Sequence, residues 1–347
     1  MGKELSIDEK LALIKRNTEE IIGEENLRKL LSGKKKPSVY IGTAPTGTPH
    51  VGYFMWGLKV AQLLKAGFHV KILIADIHAA MDNTPWNLLE HRYDYYQKLI
   101  PLMISAMGVN TEDLEFVKGS ELQLKPEYMY DVLKMASLVS VRDSRKAAAE
   151  VVKNMEGDSA KLAGLIYPLM QAMDEQYLEV DAQLGGTDQR KIMVLARENL
   201  PKIGYEPRIE IMFPLIPGLI GKKMSSSSEK TKIDLLDDEK TVQEKVKGAE
   251  MVEGDPDNGV MAFLKYIIFT LKEDKKEKFL IERSEKFGGN LEYSNYVELE
   301  KDFSEKKVHP LDLKNAVAKE ISRLLSPIEK HRKELEKLRA LGYPDKV

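Results

Sequence analysis

None of the 347 residues is cysteine, which excludes disulfides and any cysteine-ligated zinc or iron–sulfur site. Six scattered histidines do not make a metal cluster in their place, so no protein-bound zinc is expected. Net charge is nearly absent too: 53 basic against 55 acidic side chains give a formal −2. Such a balance carries no global signature of nucleic-acid binding, so any RNA contact must come from local basic patches. No apolar run approaches the roughly 20 residues of a membrane span. The opening Met1-Gly2-Lys3-Glu4-Leu5 is polar and acidic, unlike a signal peptide, and the cytoplasm is the expected location.

What is present is globular material, 43% apolar and 31% charged, enough for one large or two ordinary domains. Two are expected, a parallel α/β unit over 1–232 and a helical unit over 233–347. Ser6 and Glu9 have capping-box spacing, and Leu11, Ile14, Ile21 and Ile22 give an apolar stripe for one or two opening helices. Strand-like Ser38-Val39-Tyr40-Ile41-Gly42, a helix from about Val51 to Ala66 ending at Gly67, and the strand from His69 to Asp76 form a β-α-β unit. Thr84-Pro85 reads as the start of a long helix, and Glu115 to Lys118 as a further strand. From Lys125 to about Ala182 the pattern is mostly helical, broken at Gly157-Asp158-Ser159. After a strand near Arg208 to Phe213 the strand pattern ends. Helices are expected from near Asp238, Asn258, Ser294, Pro310 and Pro327.

Two short strings carry the chemistry. Thr46-Gly47-Thr48-Pro49-His50-Val51-Gly52-Tyr53 joins the first strand to its helix, where small residues admit a nucleotide and unpaired helix N–H groups attract phosphate. Lys223-Met224-Ser225-Ser226-Ser227 sets a lysine and three hydroxyls in a loop. Either alone is equally an ordinary turn or a surface loop; the weight lies in their order, with an α/β pattern between them. A third feature, Tyr167, Gln171 and Asp174, falls on one face of a helix among Leu169, Met170 and Met173. By spacing alone that row is as compatible with a solvent-facing side as with a pocket.

Together the strings resemble the HIGH and KMSKS signatures of class I aminoacyl-tRNA synthetases, and the chain to about residue 330 is similar to the tyrosyl-tRNA synthetases of archaeal and eukaryotic cytosolic type. That resemblance implies a Rossmann-like parallel-sheet catalytic domain with inserted helices, followed by an all-helical anticodon-binding domain. It implies that Tyr40 and Asp174 hold the phenol of tyrosine, that Tyr167 and Gln171 hold its ammonium, and that Gln189 and Gln123 assist. A phenol is told from a phenyl ring by buried groups left unpaired when the hydroxyl is missing, an effect for which this family is the standard example. On the ATP side the resemblance assigns Gly42, Thr46, His50, Gly52, Gly186 and Asp188, the last to the ribose, with Lys222, Lys223, Met224, Ser225 and Ser226 opposite. Mg²⁺ is expected to arrive with ATP. No side chain need act as a base, because positioning and charge stabilisation lower the barrier.

For tRNA, the resemblance assigns the anticodon to Phe287 in Lys286-Phe287-Gly288-Gly289 and to His309 and Asp312 in His309-Pro310-Leu311-Asp312, segments that also read as a turn and a capped helix start. Arg190 and Lys146 are candidate acceptor-stem contacts. Homodimerisation through helices between about Glu121 and Ala163 is implied as well. Three positions depart from the pattern: Tyr53 closes the HIGH string, Ser226 replaces the second lysine of KMSKS, and Ala44 stands where many relatives carry an acid. Tryptophanyl-tRNA synthetase shares the fold and both signatures, but an indole needs no Tyr–Asp pair. A simpler nucleotidyltransferase would lack the helical domain, and a non-catalytic RNA-binding derivative would have lost the signature residues.

Overall fold

The computed structural model describes residues 5–34, 36–152, 161–218 and 232–344. The expected capping box opens α1 (Ile7–Lys15): the Ser6 hydroxyl accepts from Glu9 N–H, and the Glu9 carboxylate accepts from Ser6 N–H. The helical stripe does not extend through Ile21 and Ile22, which form strand β1 (Glu20–Ile22) instead. Asn17 at φ 56° and Gly23 at φ 86° bracket the segment with left-handed turns, leaving too few residues for a helix and favouring extension at the β-branched pair.

After α2 (Glu24–Gly33) comes the expected β-α-β unit of β2 (Ser38–Thr43), α3 (Tyr53–Lys65) and β3 (His69–Ile74). Gly67, at φ 93°, makes the left-handed exit from α3. Then α4 (Asp76–Met81) leads to a 3₁₀ turn at Trp86–Leu88, so Pro85 precedes that turn and the long helix α5 (Leu89–Ala106) begins only after it. Strand β4 (Leu114–Lys118) is followed by four helices, α6 (Gly119–Gln123), α7 (Pro126–Leu138), α8 (Val141–Ala148) and α9 (Leu162–Tyr177). The expected break at Gly157-Asp158-Ser159 lies outside the described residues. The unit closes with β5 (Ala182–Gly186), α10 (Arg190–Asn199) and β6 (Ile209–Phe213).

The six strands order as β1-β6-β5-β2-β3-β4, parallel except for β1, which pairs antiparallel with β6. The chain winds outward from β2 through β3 to β4, then returns to the other side for β5 and β6. The reversal falls between β2 and β5, the crevice where open α/β sheets bind ligands. Strand β5 had no clear sequence signal, because Ala-Gln-Leu-Gly-Gly contains no β-branched residue. Its backbone is extended because β2 and β6 pair with it on both sides, and all five residues are buried.

Beyond residue 232 lie α11 (Glu239–Lys247), α12 (Gly259–Phe263), α13 (Phe269–Lys275), α14 (Tyr296–Ser304), α15 (Pro310–Glu329) and α16 (Arg332–Gly342). This region is helical as expected, with one addition, an antiparallel ribbon of β7 (Phe279–Ile281) and β8 (Leu291–Tyr293). The apolar stripe Leu313, Val317, Ile321, Leu324 and Leu325 is buried along α15. Pro327 does not start a helix; it rides inside α15, where the Ser326 hydroxyl donates to the Arg323 carbonyl that proline cannot serve. Helices α15 and α16 pack on α5, and one apolar core holds Leu58 and Leu99 from before residue 233 with Val317 and Leu335 from after it.

Candidate active site

A cavity of about 340 Å³ opens at the C-terminal ends of β2 and β5, within the size range of small-molecule sites. Its deep end is formed by Tyr40 from β2, Leu73 from β3, Gln183 from β5, His78 from α4, and Tyr167, Gln171 and Asp174 from α9. The helical spacing therefore brings all three α9 side chains to the cavity and not to solvent.

Asp174 is only 1% exposed, and both of its hydrogen bonds fall on Oδ1: Tyr128 Oη donates at 2.8 Å and Gln123 Nε2 at 2.9 Å. Oδ2 thus remains for a bound group. Burial pushes the carboxyl up to about 7, while the two donors pull the other way. Tyr40, whose hydroxyl lies 3.4 Å from the Gln171 carbonyl, is held protonated well above the usual phenol range by burial and by the nearby acids, Asp174 first among them. A protonated phenol and a carboxylate oxygen then offer one donor and one acceptor at the same end.

Gln123 does not line the cavity. It sits behind Asp174, its Nε2 also 3.0 Å from His78 Nδ1. Because an amide nitrogen can only donate, His78 Nδ1 accepts and its proton resides on Nε2. Burial holds His78 near 4, so the ring is neutral as it stands edge-on to Tyr167, with centroids 4.3 Å apart. Sequence reasoning missed both His78 and Tyr128, each brought here by a separate helix. Their one available signal was polarity on apolar helix faces.

Midway, Gln171 Nε2 donates to Gln189 Oε1 at 3.1 Å, and Gln189 Nε2 lies 3.4 Å from Asp188 Oδ1. These three give oxygen acceptors beside Tyr167, the chemistry an ammonium requires. A Cβ at Gly186 would fall 2.7 Å from Asp188 Oδ1 and 2.8 Å from Leu215 Cδ2, so a larger residue there would displace the ends of those two cavity side chains.

The open end is lined by Gly42, Thr43, Ala44, Thr46, His50, Gly52 and Tyr53. His50 Nδ1 accepts from the Gly52 N–H at 3.2 Å, which puts the ring proton on Nε2. Burial first, and Lys232 second, hold His50 down to about 4, so it is a neutral N–H donor at physiological pH. The loop's carbonyls are clamped from behind. Arg92 donates to the Pro45 and Thr46 oxygens, Tyr96 to Gly47 at 2.6 Å, and Tyr343 to Pro45 and Gly47 at 3.2 and 3.1 Å. Lys222, Lys223, Met224, Ser225 and Ser226 lie outside the described residues.

The remaining candidates sit away from this cavity. Arg190 makes a two-point ion pair with Glu20, at 2.6 and 2.9 Å, and Lys146 is exposed on α8. Phe287, 64% exposed, ends a 3₁₀ turn and carries the Lys286 ammonium 5.7 Å from its ring. His309 caps α15, its Nδ1 accepting from Leu311 N–H at 3.1 Å, and Asp312 lies half-buried in the first turn. Among the described residues no group of three or more His, Asp or Glu is arranged to hold a metal.

Comparison with known proteins agrees with this geometry. The family described as tRNA synthetases class I (W and Y) matches residues 32–326. A cytoplasmic tyrosine–tRNA ligase of Danio rerio is 48% identical over 99% of this chain and 65% of its own length. The chain thus spans just under two thirds of that vertebrate relative. The cytoplasmic tyrosine–tRNA ligase of Saccharomyces cerevisiae is 42% identical over 97% of this chain and 88% of its own. Among solved structures, the tyrosyl-tRNA synthetase of Archaeoglobus fulgidus, complexed with L-tyrosine, superposes with a TM-score of 0.86 at 40% identity, covering 94% of this chain and 100% of that one. With the match spanning the crevice, the α9 row and the helical region alike, the chain belongs to the class I tRNA synthetases of the tryptophan and tyrosine family.

Proposed function

We propose that this chain is a tyrosine–tRNA ligase. Its first reaction joins the tyrosine carboxylate oxygen to the α-phosphorus of ATP and breaks the bond to the β-phosphate bridging oxygen, releasing pyrophosphate. The second transfers the tyrosyl group from AMP to the terminal adenosine of tRNA(Tyr). The observation that carries the reading is the polar end of the cavity. Tyr40 offers a donor and Asp174 Oδ2 an acceptor in the lining of the same cavity, a match for a phenol and a poor one for an indole.

In this reading Tyr167, Gln171 and Gln189 receive the ammonium, and Asp188 the ribose. Gln123 acts through Asp174. Neutral His50 and Thr46 donate to the phosphates at the open end, with Lys222, Lys223, Met224, Ser225 and Ser226 on the opposite side. Mg²⁺ enters with ATP as part of the substrate, supplying charge neutralisation for the phosphates. Residues 1–232 carry the chemistry and 233–347 the anticodon contacts through Phe287, His309 and Asp312, with Arg190 and Lys146 toward the acceptor stem. The Arg190–Glu20 pair must open for that contact.

The working form is a homodimer, supported by Tyr130, Leu133, Leu138 and Val141, which are exposed on and beside α7. A cytoplasmic location is supported by the names of the eukaryotic relatives, and no helix among the described residues is long and apolar enough to cross a membrane. ATP–pyrophosphate exchange with each of the standard amino acids tests the assignment. Exchange should depend on tyrosine; equal exchange with tryptophan would overturn it.

A further inference from the structure

Behind the phosphate-side loop lies a buried polar knot. Thr48, Lys232 and Asp234 are 1%, 0% and 4% exposed, and none of them lines the cavity. The Lys232 ammonium donates to the Thr48 hydroxyl at 2.6 Å, that hydroxyl donates to Asp234 Oδ2 at 2.5 Å, and the ammonium lies 3.5 Å from the same carboxylate oxygen. The other oxygen, Oδ1, accepts from Leu236 N–H at 3.0 Å and faces Arg339 of α16 at 3.9 Å. The backbone follows the same path: His50 bridges Asp234, Val51 N–H donates to the Ile233 carbonyl at 2.9 Å, and Leu235 N–H donates to that of Pro49 at 3.2 Å.

A buried ion pair is a weak device for stability, since apolar residues of similar volume often serve as well or better. Its distinctive property is directional. Thr48 uses its single proton toward Asp234 and a lone pair toward Lys232, so only one register of the 48–51 segment against the 232–235 segment satisfies all three groups. The first of these segments carries His50 and adjoins Thr46. The second follows the Lys223-Met224-Ser225-Ser226-Ser227 string in sequence. Lys232 and Asp234 also act in opposite senses on His50, so the knot is electrostatically coupled to the ring it holds in place.

We propose that Thr48, Lys232 and Asp234 are positioning residues for adenylate formation, locking the loop that presents Thr46 and His50 to the segment that follows the lysine–serine string. The proposal rests on the tyrosine-activation reading above. It assigns the knot to the ATP half-reaction and leaves the tyrosine end of the cavity independent of it.

Thr48→Val, near in volume but without the hydroxyl, and Thr48→Ser, which keeps it, form the test in the full-length chain. Pyrophosphate exchange is measured with ATP and tyrosine varied separately, tyrosine affinity by titration, and backbone amide exchange over 46–51 by mass spectrometry. For Thr48→Val the expected result is a loss of about tenfold or more in kcat/KM for ATP, because small misplacement of phosphate donors is costly, with tyrosine affinity within about twofold of the parent. Amide exchange over 46–51 should accelerate selectively, and Thr48→Ser should recover the parent values within about threefold. Should Thr48→Val fail to fold, Asp234→Asn, which keeps an acceptor but removes the charge, is read by the same measurements. Parent-like ATP kinetics and amide exchange in the valine variant overturn the proposal. So does a parallel loss of ATP and tyrosine parameters that serine fails to rescue, which would mark a purely structural role. A parent protein without tyrosine-dependent exchange would defeat the activity reading instead, and selective loosening of 46–51 would still report on the knot.

Discussion

At the scale of single residues, Asp174 sets the most specific expectation. With its carboxyl raised to about 7 by burial, the empty pocket changes charge within an accessible pH range. A tyrosine hydroxyl donates to the ionised form, so affinity is full above that value and should fall as pH drops through it, approaching about tenfold per unit. Titration of tyrosine from pH 8.5 to 5.5 reads this directly; a flat profile would show that the phenol does not meet the carboxylate. Asp174→Asn should remove the pH limb and weaken tyrosine by roughly 10- to 100-fold, the scale of one charge-assisted bond. His50 and His78, both held near 4, should contribute nothing to that limb. Tyr128→Phe removes a hydroxyl whose one proton is shared between Asp174 Oδ1 at 2.8 Å and the Met170 carbonyl at 2.6 Å, so it should move the midpoint upward, by at most about one unit, while leaving the cavity's shape intact. An unshifted midpoint would mean that Gln123 alone sets the carboxylate. Helical spacing put Tyr167, Gln171 and Asp174 on one face without saying which way it turned, and only the resemblance to the tyrosyl-tRNA synthetases joined that face with Tyr40 in a pocket. Tyr128 and His78 were not legible because only the tertiary fold brings α7 and α4 against α9.

At the scale of elements, the proposed anticodon role of the α15 start predicts that a change there separates two activities. His309 caps the helix with its ring nitrogen and Pro310 takes the first helical position, so the local sequence builds the turn without help from Asp312. Asp312→Ala should therefore leave tyrosine-dependent pyrophosphate exchange intact while impairing tRNA aminoacylation by about 1–3 kcal/mol, the scale of a single contact to a base edge. That loss should shrink when the anticodon base that Asp312 meets is itself replaced, since the cycle then has no contact left to remove. Loss of both activities together, or a much lower melting temperature, would make Asp312 a folding residue. Elements with strong local signals were readable in advance: the Ser6–Glu9 box, the β-α-β unit whose helix ends at Gly67, and the stripe of α15. Strands β1 and β5 were not, for one shared reason. Each is extended through pairing with other strands, β1 with β6 alone and β5 with β2 and β6, which periodicity within the segment does not record. The β7–β8 ribbon, with strands of three residues, falls below the length at which alternation carries information.

At the scale of the whole molecule, α7 has two apolar faces. Tyr128, Val132 and Met135 point into the protein, while Tyr130 and Leu133, 62% and 65% exposed, point away from it, with Leu138 and Val141 continuing the outer patch. A helix apolar on both sides is stable in water only if the second side is also covered, and a two-fold axis through such a patch would pair it with itself. Because the inner face of the same helix supplies the Tyr128 bond to Asp174, the proposed interface and the tyrosine end of the cavity would share one element. Leu133→Glu sets a charge against its own copy across that axis and should convert the dimer to monomer in light scattering at micromolar concentration. Its neighbour Lys134→Glu, on a residue tied to Asp131, should not. Exchange activity in the monomeric variant should fall with a raised KM for tyrosine and a KM for ATP near the parent value, since α7 braces the tyrosine end only. A parent protein that is already monomeric, or a Leu133→Glu dimer as tight as the parent, would show that the patch serves another purpose.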